Sequence, residues 1–385
     1  MSEPSTADAI SAGQTKIAQS LGAPEPMALS WVAPSGIVGL SVKNFLLRIV
    51  TLGIYGFWGK TEVRQRIWSA ARLNGEPLQY TGTGRELLTG FLVVFAIMLL
   101  PTLLVSLAAT IAFGPNSGGL AAFQAVVYIG FFYLIGVGIH RAQRYRLART
   151  RWRGIRGGLD GSSLGYAWTH FWTGLLLIPT LGWIAPWRST KLQSLITNGM
   201  RFGDRPFVFQ AKAGPLYGRF ALLWFGTLAI VVSVLAARLL VVAFMLDILH
   251  IDNPTAPVMR PSSLALLIVM LYGIVLIAAL LFAVLSAWYR AGMMNHFAAH
   301  TTFEDARFSG HATAGSLIWL TVSNYALTLM TLGLLSPVAQ ARSARYFIER
   351  LSIEGTAPLG QIAQRSADEL QRGEGLAQAF DLDGF

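Results

Sequence analysis

The triplet Thr-Leu-Gly occurs three times in this chain, each time inside an apolar stretch that is followed by a basic segment. The copies begin at Thr51, Thr180 and Thr331. Shifts of 129 and 151 positions align them and also match rarer residues: Trp58 with Trp187, Trp168 with Trp319, and Pro186 with Pro337. An internal repeat folds as repeated units, so this duplication constrains the architecture more than any local pattern does.

Composition indicates that the repeat is built into a membrane. Hydrophobic residues make up 54% of the 385 residues, charged residues only 13%, and the mean hydropathy is +0.52. No Asp, Glu, Lys or Arg occurs from Leu87 to His140 or from Pro261 to Tyr289. A membrane helix needs about 20 apolar residues, so the first run is long enough for two spans and the second for one. The pattern predicts a helical polytopic membrane protein.

The apolar sequence divides into three Thr-Leu-Gly elements and two hydrophobic hairpins. The elements cover about residues 38–58, 164–187 and 315–338. The hairpins run from Leu87 to Ile139 and from Phe220 to Tyr289, with turns at residues 114–119 and 247–262. We divide the chain into a disordered tail (1–27), a membrane domain (28–365) and a flexible tail (366–385). Within the membrane domain, repeat 1 is 28–140, repeat 2 is 141–290 and a partial repeat 3 is 291–365.

Short strands are expected in the basic segments. Residues 75–82 and 204–209 alternate apolar and polar residues beside turn formers, which is typical of strands at the membrane face. Trp31-Val32, Trp152-Arg153 and Phe303-Glu304 are the expected partner strands.

The distribution of charge predicts the orientation. Five basic segments hold 24 of the 30 Lys and Arg residues, whereas the first hairpin tip has none and the second has only Arg260. Positive segments stay in the cytoplasm, so both tips are expected outside, with both termini in the cytoplasm. If each Thr-Leu-Gly element crossed the bilayer, basic segments would lie on opposite sides. We therefore favour four full transmembrane helices plus three re-entrant or half-inserted elements; the alternative is seven transmembrane helices, since about 20 residues can also cross.

One motif resembles a known family. Asn44 to Lys60 reads NFLLRIVTLGIYGFWGK, and Tyr80 to Leu87 reads YTGTGREL. Both runs closely resemble the YjgN-like family of bacterial inner-membrane proteins, which is built on a domain of unknown function. The resemblance covers about residues 28–365 and implies a multi-pass inner-membrane location without an activity. Later copies depart from the motif: Thr173 stands where Asn44 and Asn324 stand, and neither keeps Tyr55 or Lys60.

Candidate functional residues follow from the repeat and from charges near apolar segments. Broken helices at corresponding positions of a repeated fold are a sequence indicator of a transport site, and an arginine inside a span indicates function. The candidates are Thr51, Gly53, Thr180, Gly182, Thr331, Gly333, Arg238, Arg141 and Arg290. The triplets have a structural alternative, in which Gly allows close packing and Thr bonds to the preceding turn. Arg238 also has a structural alternative, in which its side chain extends to the membrane surface or pairs with Asp247.

Two functions are compatible with this pattern. The first is a transporter or channel-like protein for a small solute, ion or lipid, with a site near the Thr-Leu-Gly turns. The second is a non-transporting scaffold or lipid-interacting protein whose basic cytoplasmic face binds anionic lipid headgroups. The chain has no Cys, catalytic triad, P-loop or dinucleotide fingerprint. We expect no enzyme activity, no cofactor or metal, and no nucleic-acid partner. The oligomeric state is left open.

Overall fold

A computed structural model of the chain describes residues 24–115, 117–249 and 261–364. Most of the two predicted tails (1–23 and 365–385) and part of each hairpin turn (116 and 250–260) lie outside these ranges. The described chain is mostly helical, as predicted, but it also contains thirteen strands. The predicted all-α class with short strands therefore holds for the helices, whereas the sheets are more extensive than predicted. The helix-forming apolar runs dominate the composition, and strands of two to five residues are too short to show a period of their own.

The helices and strands recur in the same order in each repeat. The helices are α1 (Ile37–Val50), α2 (Gly56–Ala70), α3 (Gly84–Val94), α4 (Leu100–Phe113), α5 (Gly118–Arg149), α6 (Ser163–Leu175), α7 (Ala185–Thr197), α8 (Gly214–Leu249), α9 (Pro261–Ala299), α10 (Ala314–Met330) and α11 (Ser336–Glu349). The strands are β1 (Glu25–Pro26), β2 (Leu29–Trp31), β3 (Ala71–Leu73), β4 (Glu76–Pro77), β5 (Gln79–Tyr80), β6 (Thr150–Trp152), β7 (Ile155–Leu159), β8 (Met200–Phe202), β9 (Arg205–Phe209), β10 (Thr301–Phe303), β11 (Ala306–Gly310), β12 (Leu351–Glu354) and β13 (Thr356–Ala357).

The described residues form two compact units. One unit contains residues 24–211, 297–311 and 324–364. The other contains Lys212–His296, apart from 250–260, and Ala312–Ser323. The first unit includes all the strands and the Thr-Leu-Gly triplets, and the second is built mainly from α8 and α9.

Three of the four expected spans are single long helices in the described chain. They are Gly118–Arg149, Gly214–Val241 and Ile268–Ala299, each apolar and long enough to cross a membrane. The remaining arm is helical from Gly84 to Phe113, but residues Phe95–Leu99 form a π-helical segment between α3 and α4. Pro101 follows two residues after this segment. Proline lacks an amide hydrogen and crowds the preceding turn. The π-helical segment therefore lies where the regular α-helical hydrogen bonds are hardest to maintain.

Each Thr-Leu-Gly element is a pair of helices joined by a tight turn. The paired helices are α1 and α2, α6 and α7, and α10 and α11, with 13 to 17 residues each. Asn44 Nδ2 donates to Gly59 O at 3.3 Å, and Asn324 Nδ2 donates to Ala339 O at 3.1 Å, so the chain reverses within the element. A helix of 17 residues is about 25 Å long, short of the hydrocarbon core of about 30 Å. The half-inserted placement of these elements and the seven-span alternative both stay predictions.

The strands of all three repeats join in one antiparallel ring. The order β5–β6–β7–β8–β9–β10–β11–β12 forms one sheet, and β2, β3 and β4 form another. Leu78, between β4 and β5, still donates to Ala71 O, and β1 pairs with β13, which directly follows β12. Each pair is antiparallel, and β1–β13 is a third sheet. The chain itself links the three sheets into a ring, at the steps from β1 to β2, from β4 to β5 and from β12 to β13.

The inside of the ring is filled with apolar side chains. Its core contains Met27, Trp152, Phe303, Ala306, Ala357, Leu359 and Ile362. Trp152 and Phe303 are each 1% exposed, and the rings of Phe303 and Phe207 lie 4.7 Å apart. Side chains alternate across a strand, so Arg151, next to Trp152, faces outward. The interior is packed. The strands at Trp152 and Phe303 pair with the strands predicted at 75–82 and 204–209, whereas the strand at Trp31 pairs with β3.

Candidate functional site

The three Thr-Leu-Gly turns share one backbone geometry. The glycine amide bonds to the carbonyl five residues earlier at 2.7 Å in each copy: Gly53 to Arg48, Gly182 to Leu177 and Gly333 to Thr328. The leucine amide bonds to the carbonyl three residues earlier at 3.1 Å in each copy. This pair of bonds is the Schellman arrangement that ends a helix. Both the leucine and the glycine have positive φ, which glycine adopts without strain.

The threonine of each triplet bonds to the backbone on the same turn. Thr51 Oγ1 donates to Leu47 O at 2.7 Å, and Thr180 and Thr331 make the equivalent bonds at 2.6 and 2.7 Å. Thr51 Oγ1 also accepts from the amide of Tyr55 at 2.9 Å, and Thr331 Oγ1 accepts from Leu335 at 3.1 Å. In the first copy the amides of residues 52–57 all have partners within the hairpin. These amides are therefore occupied by the turn itself.

The central leucines are among the most exposed residues of each hairpin. Leu52, Leu181 and Leu332 are 94%, 75% and 83% exposed, with φ of 50°, 48° and 49°. A left-handed conformation costs an ordinary side chain about 1–2 kcal/mol. Three copies therefore keep a strained leucine at the tip, where it packs against little of the protein.

The candidate arginines lie on the long helices. Arg141 is half-buried on α5, whereas Arg290 on α9 and Arg238 on α8 are exposed. The side chain of Asp247, the expected partner of Arg238, lies outside the described side chains. The roles proposed for these residues stay predictions.

Sequence reasoning missed a polar cluster in the second repeat. His140 on α5 is 2% exposed, and Tyr166 and His170 on α6 are 7% and 8% exposed. The Tyr166 ring lies between the two imidazoles, with centroids 5.5 Å from His140 and 6.4 Å from His170. Arg188 on α7 reaches the same place and donates from Nη2 to His170 O at 3.5 Å.

Close packing of α5 on α6 holds this cluster. A Cβ atom on Gly136 would lie 2.7 Å from Ala167 Cα and 3.1 Å from His170 Cβ, so these helices touch where glycine has no side chain. His140 Nδ1 and Ser163 Oγ are 3.0 Å apart, while His170 Nδ1 and Arg188 Nε are buried without a partner. Comparing the copies for their differences would have revealed the cluster. Ser41 and Thr321 occupy the position of His170, and Gly59 and Ala339 that of Arg188.

The outside of the strand ring carries a basic wall, which we define as Arg151, Arg156, Arg201 and Arg307. Each is the strand neighbour of a side chain in the core or packed against it, so each points outward. Arg151 and Arg156 are directly opposed across β6 and β7, where like charges repel. Burial, together with the charges of Arg156 and Arg149, lowers the pKa of the Arg151 guanidinium. Arg201 pairs with Asp160 at 3.2 Å.

Long apolar helices, helical hairpins with exposed leucines and a basic wall define a helical membrane protein. Residues 35–379 match the family described as bacterial protein of unknown function (DUF898), and the chain belongs to that family. It is similar to the inner membrane protein YjgN of Salmonella typhimurium, with 22% identity over 357 residues, 82% of this chain and 85% of that protein. No solved structure matches the fold. The resemblance seen in the motif at Asn44–Lys60 is thereby confirmed.

Proposed function

We propose that this protein engages the lipid bilayer rather than passing a solute. In the proposal, the three Thr-Leu-Gly tips insert into the cytoplasmic leaflet of the inner membrane, and the basic wall binds anionic headgroups. The termini remain in the cytoplasm. The proposal includes no catalytic step. The observation that carries it is the exposed leucine at each tip, held in a strained conformation three times over.

The sequence around the tips supports insertion. Residues 49–59, 171–187 and 312–341 contain no Asp, Glu, Lys or Arg. Their exposed side chains include Ile178, Leu329 and Met330, which are 74%, 77% and 85% exposed. Burying a leucine in an apolar phase yields about 1.5–3 kcal/mol, and insertion would give these side chains the burial that the protein does not provide.

The basic wall supports headgroup binding. Arginine binds phosphate through two parallel N–H donors, and a basic residue near an anionic surface contributes about 1 kcal/mol. Arg151 and Arg156 are directly opposed across β6 and β7. An anionic headgroup between them would relieve their repulsion.

Single cysteines measure insertion without interference, because the chain has none of its own. We would place one each at Leu52, Leu181 and Leu332, attach an environment-sensitive fluorophore, and reconstitute the protein in vesicles. Quenchers on the acyl chains should act on all three tips. A cysteine at Val208, which is 40% exposed on β9, is the matched control and should respond to an aqueous quencher instead. Tips that respond like position 208 would refute insertion.

Solute transport, the first function expected from sequence, has less support. In the first copy the turn amides are occupied by the hairpin, and Arg238 is exposed on α8. Uptake of several solute classes by reconstituted vesicles tests it, with Gly182→Leu as the variant. A solute uptake that disappears in this variant would replace our proposal.

A further inference from the structure

We propose that His170 and Arg188 form a binding site for a phosphate group, with Tyr166 and His140 packed behind it. The inference deepens the proposed lipid engagement and rests on it for the membrane position of the site. A phosphate here could belong to a phospholipid headgroup or to free phosphate. Both offer the same anionic oxygens to the same donors.

The first support is unused hydrogen-bonding capacity. Arg188 is half-buried, its Nε has no partner, and the hydrogen bond that its Nη2 donates to His170 O is long, at 3.5 Å. Within the described residues no carboxylate forms a salt bridge with Arg188. His170 is 8% exposed and its Nδ1 is also without a partner. Buried polar atoms are normally paired, and an arginine with free N–H donors beside an unpaired imidazole suits an anion.

The second support comes from the other two repeats. The equivalent of Arg188 is Gly59 in the first copy and Ala339 in the third, and the equivalent of Tyr166 is Ile37 or Leu317. Both copies form the same helical hairpin and the same Schellman turn. The hairpin fold therefore does not need an arginine, a tyrosine or a histidine at these positions. Their presence in one copy indicates a different role.

The third support is the position of the charges along the hairpin. No charged side chain or histidine lies between His170 and Arg188. They are thus the first ionisable groups on each arm as the chain leaves the apolar tip. In a half-inserted hairpin this border approaches the level of the headgroups, where phosphate is found. An arginine in that place is costly unless an anion pairs with it.

The other copies provide the variants for the test. Arg188→Ala and His170→Thr install the residues of the third copy, so both hairpins should fold. Arg345→Ala is the matched charge control, because Arg345 is exposed on α11 and pairs with Glu349 at 2.7 Å. The full chain in a non-ionic detergent would be titrated with inorganic phosphate, dioctanoyl-phosphatidylglycerol and, as the phosphate-free lipid, dioctanoylglycerol.

We expect the unaltered chain to bind at least one phosphate-bearing probe and not dioctanoylglycerol. Arg188→Ala should weaken binding at least tenfold and His170→Thr severalfold, with Arg345→Ala unchanged. Weakening for phosphatidylglycerol alone identifies a headgroup site, and weakening for inorganic phosphate alone identifies a free-ion site. No binding of either probe, or equal loss in Arg345→Ala, would overturn the proposal.

Two further measurements separate the possible failures. If Arg188→Ala does not fold, His170→Thr tests the proposal alone. This variant keeps the arginine, and the proposal requires that its affinity for phosphate still falls. The fluorophore at position 332 is read in each variant. Buried tips without phosphate binding would defeat this inference and leave membrane insertion standing, whereas tips in water would defeat the proposed function.

Discussion

Replacing the tip leucine of the third hairpin gives opposite results in lipid and in water. Leu332 has φ of 49° and is 83% exposed. Asparagine tolerates this left-handed conformation, so Leu332→Asn relieves strain of about 1–2 kcal/mol. If the tip lies in water, the substitution removes no other large contribution to stability. The hairpin should then become more stable by about 1 kcal/mol.

In lipid the same substitution is destabilising. Losing 83% of a leucine side chain from an apolar phase costs about 1.2–2.5 kcal/mol. Placing an amide there without partners costs about 1–3 kcal/mol more. Relief of the strain offsets only part of this, so we expect a net loss of about 2 kcal/mol in the stability of the hairpin. The effect has the opposite sign to that in water.

Hydrogen exchange in lipid nanodiscs, read on the amides of α10 and α11, measures this local stability. A loss of about 2 kcal/mol speeds exchange about 30-fold, whereas a gain of about 1 kcal/mol slows it about fivefold. Glu304→Asn is the aqueous control, because Glu304 has φ of 51° in the turn between β10 and β11. The substitution also removes the ion pair with Arg205 at 3.7 Å, and a surface pair contributes only about 0–1 kcal/mol. Its exchange should slow or stay unchanged. Slower exchange of the hairpin in Leu332→Asn would refute insertion of the tip.

Three further substitutions test the packing. Gly136→Val places a Cβ 2.7 Å from Ala167 Cα and should lower the free energy of unfolding by about 1–3 kcal/mol. Thermal unfolding measures the loss, and an unchanged midpoint would contradict the close approach of α5 and α6. Trp152 is 1% exposed, so Trp152→Ala should lower the free energy of unfolding by about 3–5 kcal/mol and weaken the near-ultraviolet circular dichroism. A small effect would contradict the packed core inside the strand ring. Asn324→Ala removes hydrogen bonds to Ala339 O and Ser343 Oγ, both 3.1 Å long. The free energy of local opening of α10 and α11 should fall by about 1–2 kcal/mol, which hydrogen exchange measures. An equal change in the first helical hairpin would argue against a local effect.

Local sequence chemistry accounts for the turn at each Thr-Leu-Gly triplet. The Thr-Leu-Gly triplet contains its own turn, since glycine takes the positive φ and threonine caps the preceding carbonyl. Uncharged runs of about 20 residues similarly predict long helices. The π-helical segment at Phe95–Leu99 was harder to predict. Pro101 indicates that the helix is disturbed nearby but not which helical geometry replaces the regular one.

The ring of strands was harder to predict because its pairing is nonlocal. Gln79 pairs with Arg151, and Phe207 pairs with Phe303, across distances in sequence that no periodicity reports. The partner strands at Trp152 and Phe303 were expected, but pairing between neighbouring repeats was not. The polar cluster was missed for a different reason. Aligning the copies for what they share hides His170 and Arg188, which are the positions where they differ.

Closure of the ring gives the third repeat a structural role that two complete repeats could not fill. With β12 and β13 absent, β11 and β1 would each present unpaired amides and carbonyls, and such edges favour pairing between molecules. The third copy supplies these strands directly after its own helical hairpin. Pairing of β13 with β1 fixes the end of that hairpin to the start of the first one. One set of connected strands thus joins the ends of the three helical hairpins.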